Sequence, residues 1–344
     1  MKSIKLLDCT LRDGGLGLED AYKNRISDDG FTLAEMDEMI NELKSSKVDI
    51  IELGSIEISN DDKRRFAIYQ NIEDISKKIP KDRTDNQMYV ALFRGPDTPV
   101  KDIPEWNPSL VDGLRVIIRY SELHKSMTFC AALAQKGYRV FVQPMLTMRY
   151  TDEEIEYILT ESNRMGAYAV YFVDSYGYMQ AKDVETLAKK YDAMLDPGIA
   201  IGFHAHNNLN LAFSNVLSLF HLGLERKLIV DSCVTGMGQG AGNLQTELIV
   251  PYLTQNCGLE YNYSAILNLC EYVEKHMVPN PWGYSVTRML PAIYKTAYKY
   301  AITFRNQYHM SYSEMNEMFA KMPNEYRHRF TPEFAEEVIQ IMQK

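Results

Sequence analysis

The chain has 344 residues, of which 46% are hydrophobic and 24% charged, with a formal net charge of −9. Such a chain can bury a large core without disulfides, and its composition is ordinary for a soluble globular protein. The acidic balance argues against a non-specific nucleic-acid binder or an anionic-membrane binder, since both partners require a basic face. The cysteines, Cys9, Cys130, Cys233, Cys257 and Cys270, are odd in number and form no CxxC pair. A reduced, cytoplasmic setting is therefore expected. No signal-peptide apolar region follows Met1, and no apolar run approaches the roughly 20 residues of a membrane span.

From the N-terminus, short β-rich apolar runs alternate with longer helical stretches. The runs are Ile4–Asp8, Asp49–Leu53, Met88–Phe93, Gly113–Ile118, Arg139–Pro144, Tyr168–Asp174, Ala200–His204 and Leu228–Asp231. Between them, Thr32-x-x-Glu35 reads as a capping box ahead of Met36, Ile40 and Leu43 on one stripe. Thr151-x-x-Glu154 repeats the signal, and Gly166 is a plausible stop. Continuous apolar strands alternating with helices imply a parallel sheet covered on both faces. Eight such units in roughly 250 residues predict a (β/α)8 TIM barrel, with a doubly wound open sheet as the alternative. From Leu259 onward the pattern is helical only. The expected organisation is a catalytic barrel over residues 1–256 and a helical C-terminal region over 257–344.

The polar groups fall at strand ends. His204 and His206 flank one residue where the seventh run ends, and residues two apart on a strand point the same way. Two imidazoles on one face suit a divalent metal, although they also suit simple hydrogen bonding in a loop. Asn207 and Asn208 follow them and could orient ligands. At the first run's end stand Arg12 and Asp13, followed by Gly14 and Gly15. Asp13 could ligate a metal and Arg12 could grip a carboxylate or enolate oxygen, while Arg-Asp-Gly-Gly equally suits a turn. A glycine-rich loop, Gly236 to Asn243, follows the eighth run, too late in the chain for a dinucleotide fingerprint. Glu52, Asp174 and Ser175 add polar groups to the same rim. Cys233 reads as a packed thiol, and Arg327-His328-Arg329 reads as a solvated stretch.

With LDCTLRDGG at 7–15, HAHNN at 204–208 and GMGQGAGNLQTE at 236–247, in that order and at strand ends, the chain resembles the DRE-TIM metallolyases. That group includes 3-hydroxy-3-methylglutaryl-CoA lyase, isopropylmalate-synthase type condensing enzymes and the 4-hydroxy-2-oxovalerate aldolases, and the aldolases look nearest. The resemblance implies a divalent ion, Mn²⁺ or Mg²⁺, on Asp13, His204 and His206, with Asn243 beside it. It implies Arg12 as the enolate-stabilising residue, Glu52 as its support, Ser175 near the substrate carboxylate, and Gly283-Tyr284 as a match to the aldolases' active-site tyrosine. Three departures are visible. Leu16 stands where the aldolases carry a basic histidine, no cysteine lies between Gly236 and Asn243 as in the CoA lyase, and Gly15 replaces the condensing enzymes' glutamate.

The activity expected from this resemblance is carbon–carbon cleavage or formation through a pyruvate-type enolate, acting on small 2-oxo acids and aldehydes. With the histidine missing, Tyr284 or a metal-bound water would serve as base. An acyl-CoA condensing enzyme and a non-catalytic metabolite-binding barrel are the alternatives. A homodimer and an aldehyde dehydrogenase partner are both compatible with the aldolase reading.

Overall fold

The computed structural model describes residues 4–59, 61–277 and 282–342. Eight strands, β1 (Ile4–Asp8), β2 (Ile50–Ile56), β3 (Met88–Phe93), β4 (Gly113–Ile118), β5 (Arg139–Pro144), β6 (Ala169–Asp174), β7 (Ala200–Ala205) and β8 (Leu228–Ser232), pair in parallel in sequence order. The sheet closes because β1 pairs on one side with β2, Leu7 opposite Ile50, and on the other with β8, Ile4 opposite Leu228. Each run is apolar almost throughout because a barrel strand is covered on both faces, by the packed interior and by the helices outside. The expected TIM barrel is therefore the fold, with helices beyond it. A further two-residue strand, Ile68–Tyr69, pairs with Ser55 and Ile56 of β2, where the β2–β3 register shifts between Glu52 and Ser55.

Both capping boxes form. Thr32 Oγ1 accepts from Glu35 N at the start of helix Leu33–Ser46, and Thr151 Oγ1 accepts from Glu154 N at the start of Asp152–Met165, which ends on Gly166 in the left-handed conformation. The structure departs from the loop reading of Arg-Asp-Gly-Gly. Helix α1 (Thr10–Lys23) begins directly after β1 and runs through Gly14, Gly15 and Gly17. A Cβ at Gly17 would lie 2.9 Å from Gly238 O, so the helix can lie this close to the glycine-rich loop only without a side chain there.

One apolar cluster fills the barrel and its helical coat. Phe172 and Phe203 stack within it at 4.6 Å, both fully buried, each contributing about 2–3 kcal/mol of apolar burial. Helix Tyr263–Glu274, beyond residue 256, contributes Ile266, Leu269 and Val273 to this same cluster. A second cluster, built on Tyr300, Phe304, Met315, Phe319 and Val338, organises helices between Val286 and Met342. Among the described residues no helix is long and apolar enough to cross a membrane.

Candidate metal centre and active-site cavity

Asp8 sets the geometry of the first motif. Its Oδ1 accepts from Thr10 N at 2.9 Å and its Oδ2 from Thr10 Oγ1 at 3.0 Å, so α1 starts at once and carries Arg12 and Asp13 in its first turn. Burial pushes the Asp8 carboxyl up to about 6. Six strands further on in sequence order, β7 delivers His204 and, one residue beyond its end, His206. Their rings meet edge-on with centroids 4.8 Å apart.

Each imidazole is oriented by its Nδ1. His204 Nδ1 lies 2.8 Å from Asp231 Oδ2, on β8, and His206 Nδ1 lies 3.0 Å from the carbonyl of Asp174, at the end of β6. A carbonyl only accepts, so His206 carries its proton on Nδ1 and turns the lone pair of Nε2 towards Asp13 Oδ2, 3.6 Å away. Asp13, His204 and His206 each offer a ligand atom within 4.8 Å of the others. Burial pulls His204 down to about 4, so the ring is neutral over the physiological range. Burial also lowers His206, but the neighbouring Asp13 carboxylate, which favours the protonated ring, outweighs burial and raises it. For Asp13, burial works upward, yet the Arg12 guanidinium and the two imidazoles hold the carboxyl well below the ordinary range.

This donor set fits a hard or borderline divalent cation: one carboxylate, two imidazoles with hydrogen-bonded Nδ1 atoms, and a nearby amide. Asn243 Nδ2 donates to Asp13 Oδ2, whereas its own Oδ1 is buried without a hydrogen-bond partner among the described residues. An orphaned amide oxygen next to a carboxylate and two imidazoles is what a cation would satisfy. Cys9, His204 and Asp231 also lie close enough to suggest a ligand set. There, however, His204 Nδ1 is already committed to Asp231, and burial pushes the Cys9 thiol up, away from the thiolate a metal requires.

Behind the cluster runs a buried ionic chain. Arg12 Nε donates to Glu52 Oε2 at 2.7 Å and its Nη1 to Asp13 Oδ1 at 2.6 Å. Arg115, wholly buried in the barrel interior, donates to the same Glu52 Oε2 at 2.6 Å and bridges to Asp231. Glu52 thus touches Arg12 from behind and is not on the cavity wall. Burial raises the Glu52 carboxyl, while the two guanidinium groups oppose that rise.

Arg12, Asp13, Ser175, His204 and His206 line one cavity of about 310 Å³ at the rim. Ser175 Oγ accepts from Leu146 N at 2.8 Å, and Asn243 sits behind Asp13. Leu16 also lines the cavity, in the place of the aldolases' histidine. Tyr284 is elsewhere: its side chain is 57% exposed and does not line the cavity. The reading of Arg327-His328-Arg329 as a solvated stretch holds for the exposed Arg329 but not for Arg327, whose guanidinium turns inward onto the carbonyls of Tyr294, Phe319 and Met322, and His328 and Arg329 both line the cavity. The C-terminal helices fold back over the rim, a tertiary event with no local signature. Arg115, Asp231 and Tyr298 were missed. For the first two, the available signal was a charge inside a strand that should be apolar. Cys233 is a packed thiol, its Sγ 3.2 Å from that of Cys9 and its ionisation pushed well up by burial.

A closed parallel barrel with these groups gathered at the C-terminal rim has its polar cluster where TIM-barrel enzymes keep their active sites. The chain belongs to the HMGL-like family, whose model matches residues 3–273, and it is an enzyme of that lyase family within the DRE-TIM superfamily that its three motifs resemble. A 4-hydroxy-2-oxovalerate aldolase of Geobacillus genomosp. 3 is 25% identical over 283 residues, covering 81% of this chain and 79% of the relative. In fold, the chain is similar to the N-terminal domain of an inferred aldolase from Bacteroides vulgatus, with a TM-score of 0.74 at 23% identity over 91% of this chain and 99% of that one. It is also similar to the HMG-CoA lyase of Brucella melitensis, with a TM-score of 0.62 at 16% identity over 80% and 99%.

Proposed function

We propose that the protein is a divalent-metal-dependent aldolase that makes or breaks a carbon–carbon bond through the enolate of a pyruvate-type 2-oxo acid. The observation that carries this reading is the convergence of Asp13, His204 and His206 with the Arg12 guanidinium on one cavity wall. Asp13, His204 and His206 would hold Mn²⁺ or Mg²⁺, with Asn243 beside them. When bound, the ion supplies Lewis-acid polarisation of a carbonyl and neutralises an adjacent carboxylate.

The chain's own residues supply the rest. Arg12 is fixed by Glu52 through Nε and by Asp13 through Nη1, which leaves Nη2 to meet negative charge developing on the substrate's carbonyl oxygen. Ser175 lies on the wall where it could receive the substrate carboxylate. For the proton of the substrate hydroxyl, Tyr298 is the better-placed group. Its side chain lines the cavity, and its hydroxyl donates to Asp20 Oδ2 at 3.0 Å. With that proton directed at Asp20, the Tyr298 oxygen is free to accept from a substrate hydroxyl, and the proton can pass onward to the carboxylate. Burial and Asp20 hold the Tyr298 phenol well above its ordinary value, so it relays a proton and does not store a phenolate. The aldehyde product would suit a dehydrogenase partner.

The test is exchange of the pyruvate C3 protons in D₂O with added Mn²⁺ or Mg²⁺, followed by cleavage of 4-hydroxy-2-oxo acids. Exchange and cleavage together are expected. Thiol release from an acyl-CoA without aldol cleavage would replace the aldolase with a condensing enzyme. Failure to exchange with every 2-oxo acid tried would leave a binding barrel.

A further inference from the structure

The cavity changes character along its length. Asp13, His204 and His206 form its largely buried inner end, and Leu92, Ile117 and Val173 add apolar surface to the wall. The outer end comes from the C-terminal helical region, as Lys299, His328 and Arg329. Asp13 is the one carboxylate on the wall among the described residues, and it belongs to the metal cluster. Lys299 is paired with Asp20 at 3.0 Å. Arg329, by contrast, is exposed and has no ion pair or side-chain hydrogen bond among the described residues.

The backbone that carries Arg329 is nevertheless held firmly. Tyr176 Oη, next to Ser175 on the barrel rim, donates to His328 O at 3.1 Å. Tyr300 Oη donates to Arg329 O at 2.8 Å and Thr296 Oγ1 to Arg327 O at 2.9 Å. With Arg327 turned inward, the chain presents the two neighbouring groups, an imidazole and an unpaired guanidinium, to the cavity mouth.

We propose that the outer end is a subsite for an anionic group, carboxylate or phosphate, carried by the substrate at the end opposite its 2-oxo acid, with Arg329 and His328 as the specificity-determining residues. This inference rests on the aldolase reading only in assigning the 2-oxo acid to the inner end. The apolar part of the wall suits a carbon chain, while the buried and the exposed polar groups take two anions. A planar guanidinium can grip a carboxylate or phosphate bidentately, with charge-assisted hydrogen bonds. A substrate ending in a methyl group would leave Arg329 merely hydrated and gain nothing there. The acceptor aldehyde in carbon–carbon bond formation would accordingly be an acidic one.

The experiment is calorimetric binding to the full chain with Mn²⁺, which requires no turnover. Two matched pairs are compared, 2-oxoglutarate with 2-oxopentanoate and 2-oxoadipate with 2-oxohexanoate, and a 5-phosphono-2-oxopentanoate arm separates phosphate from carboxylate. In at least one pair the dianion should bind about tenfold tighter, as a hydrogen bond to a charged group predicts. In Arg329→Ala/His328→Gln that advantage should collapse to about twofold or less, with an unchanged melting temperature confirming the fold. Equal binding within both pairs, binding of none of the acids, or a preference that survives the double substitution would overturn the subsite. Wild-type pyruvate exchange is measured in parallel. Selectivity without exchange would sink the aldolase reading and keep the subsite, whereas exchange without selectivity would do the reverse.

Discussion

His204 and Asp231 are joined by a 2.8 Å contact between Nδ1 and Oδ2, and Asp231 is in turn bridged by the buried Arg115. The strand β8 carboxylate therefore fixes both the tautomer and the ring orientation of the β7 histidine, leaving Nε2 for the centre.

Replacing Asp231 by Asn keeps the volume but removes the charge that holds the His204 Nδ1–H. Outer groups of this kind typically contribute about 10- to 100-fold in metal affinity. Asp231→Asn should weaken Mn²⁺ binding by that order, measured by titration calorimetry at constant pH, while the protein remains folded by circular dichroism. An unchanged affinity would show that His204 is oriented by something else, or is not a ligand.

Asp8 offers a test of the fold's electrostatics away from the metal ligands. Its carboxyl is raised by burial from the ordinary 3.8 to about 6. The folded state thus holds the proton more tightly than the unfolded one. The resulting stabilisation is complete below about pH 4 and is lost as pH rises through about 6. A shift of this size corresponds to about 3 kcal/mol. Asp8→Asn has no such step, so its stability relative to wild type should improve by about that amount between pH 4 and pH 7. Parallel pH profiles in urea unfolding would refute the assignment.

Tyr298 and Asp20 separate two steps of the proposed reaction. Cleavage must remove a proton from the substrate hydroxyl, whereas exchange at the pyruvate methyl involves no hydroxyl. Tyr298→Phe deletes the oxygen that donates to Asp20. Cleavage should fall by about 10²- to 10⁴-fold, the usual contribution of general acid–base catalysis, with a distinctly smaller loss in pyruvate exchange. An equal loss in both would make Tyr298 a packing residue, since its ring also lies against the glycine-rich loop near Gly240.

What could be read in advance follows the range of the forces involved. The eight barrel strands were legible because burial on both faces makes each a continuous apolar run, whereas the two-residue strand Ile68–Tyr69 is too short to carry a period. Helix α1 was hidden by Gly14, Gly15 and Gly17, since each glycine in a helix costs about 1 kcal/mol and together they look like a loop. The constraint that requires them, close approach to the Phe66 and Gly238 carbonyls, comes from residues far away in sequence. The same distance explains the rest of the cavity. Asp13, His204 and His206 stand in motifs, while Tyr298, His328 and Arg329 reach the site only because the helical region folds over it. Arg115 is intermediate: a charge in the middle of Gly-Leu-Arg-Val-Ile-Ile is conspicuous, but its partners Glu52 and Asp231 lie on other strands.

Arg12 is where the enolate mechanism is most exposed. Its guanidinium is held from two sides, by Glu52 at 2.7 Å and Asp13 at 2.6 Å, so it is aimed before any substrate arrives. A prearranged donor to a developing oxyanion is commonly worth about 10²- to 10³-fold in rate. Arg12→Ala should cost pyruvate exchange at least that much, and Arg12→Lys should restore only a small part. An ammonium keeps the charge but cannot bond Glu52, Asp13 and a substrate oxygen in one plane. Removing this cation also leaves Glu52 with Arg115 alone, so a loss of stability is expected alongside the loss of rate, as is usual when one partner of a buried ion pair is deleted. The two effects are separable. Lysine at position 12 should recover more of the melting temperature than of the exchange rate, because screening Glu52 needs only a positive charge whereas the enolate needs the fork. If exchange is brisk in wild type and equally brisk in Arg12→Ala, no oxyanion is being held there and the enolate mechanism falls.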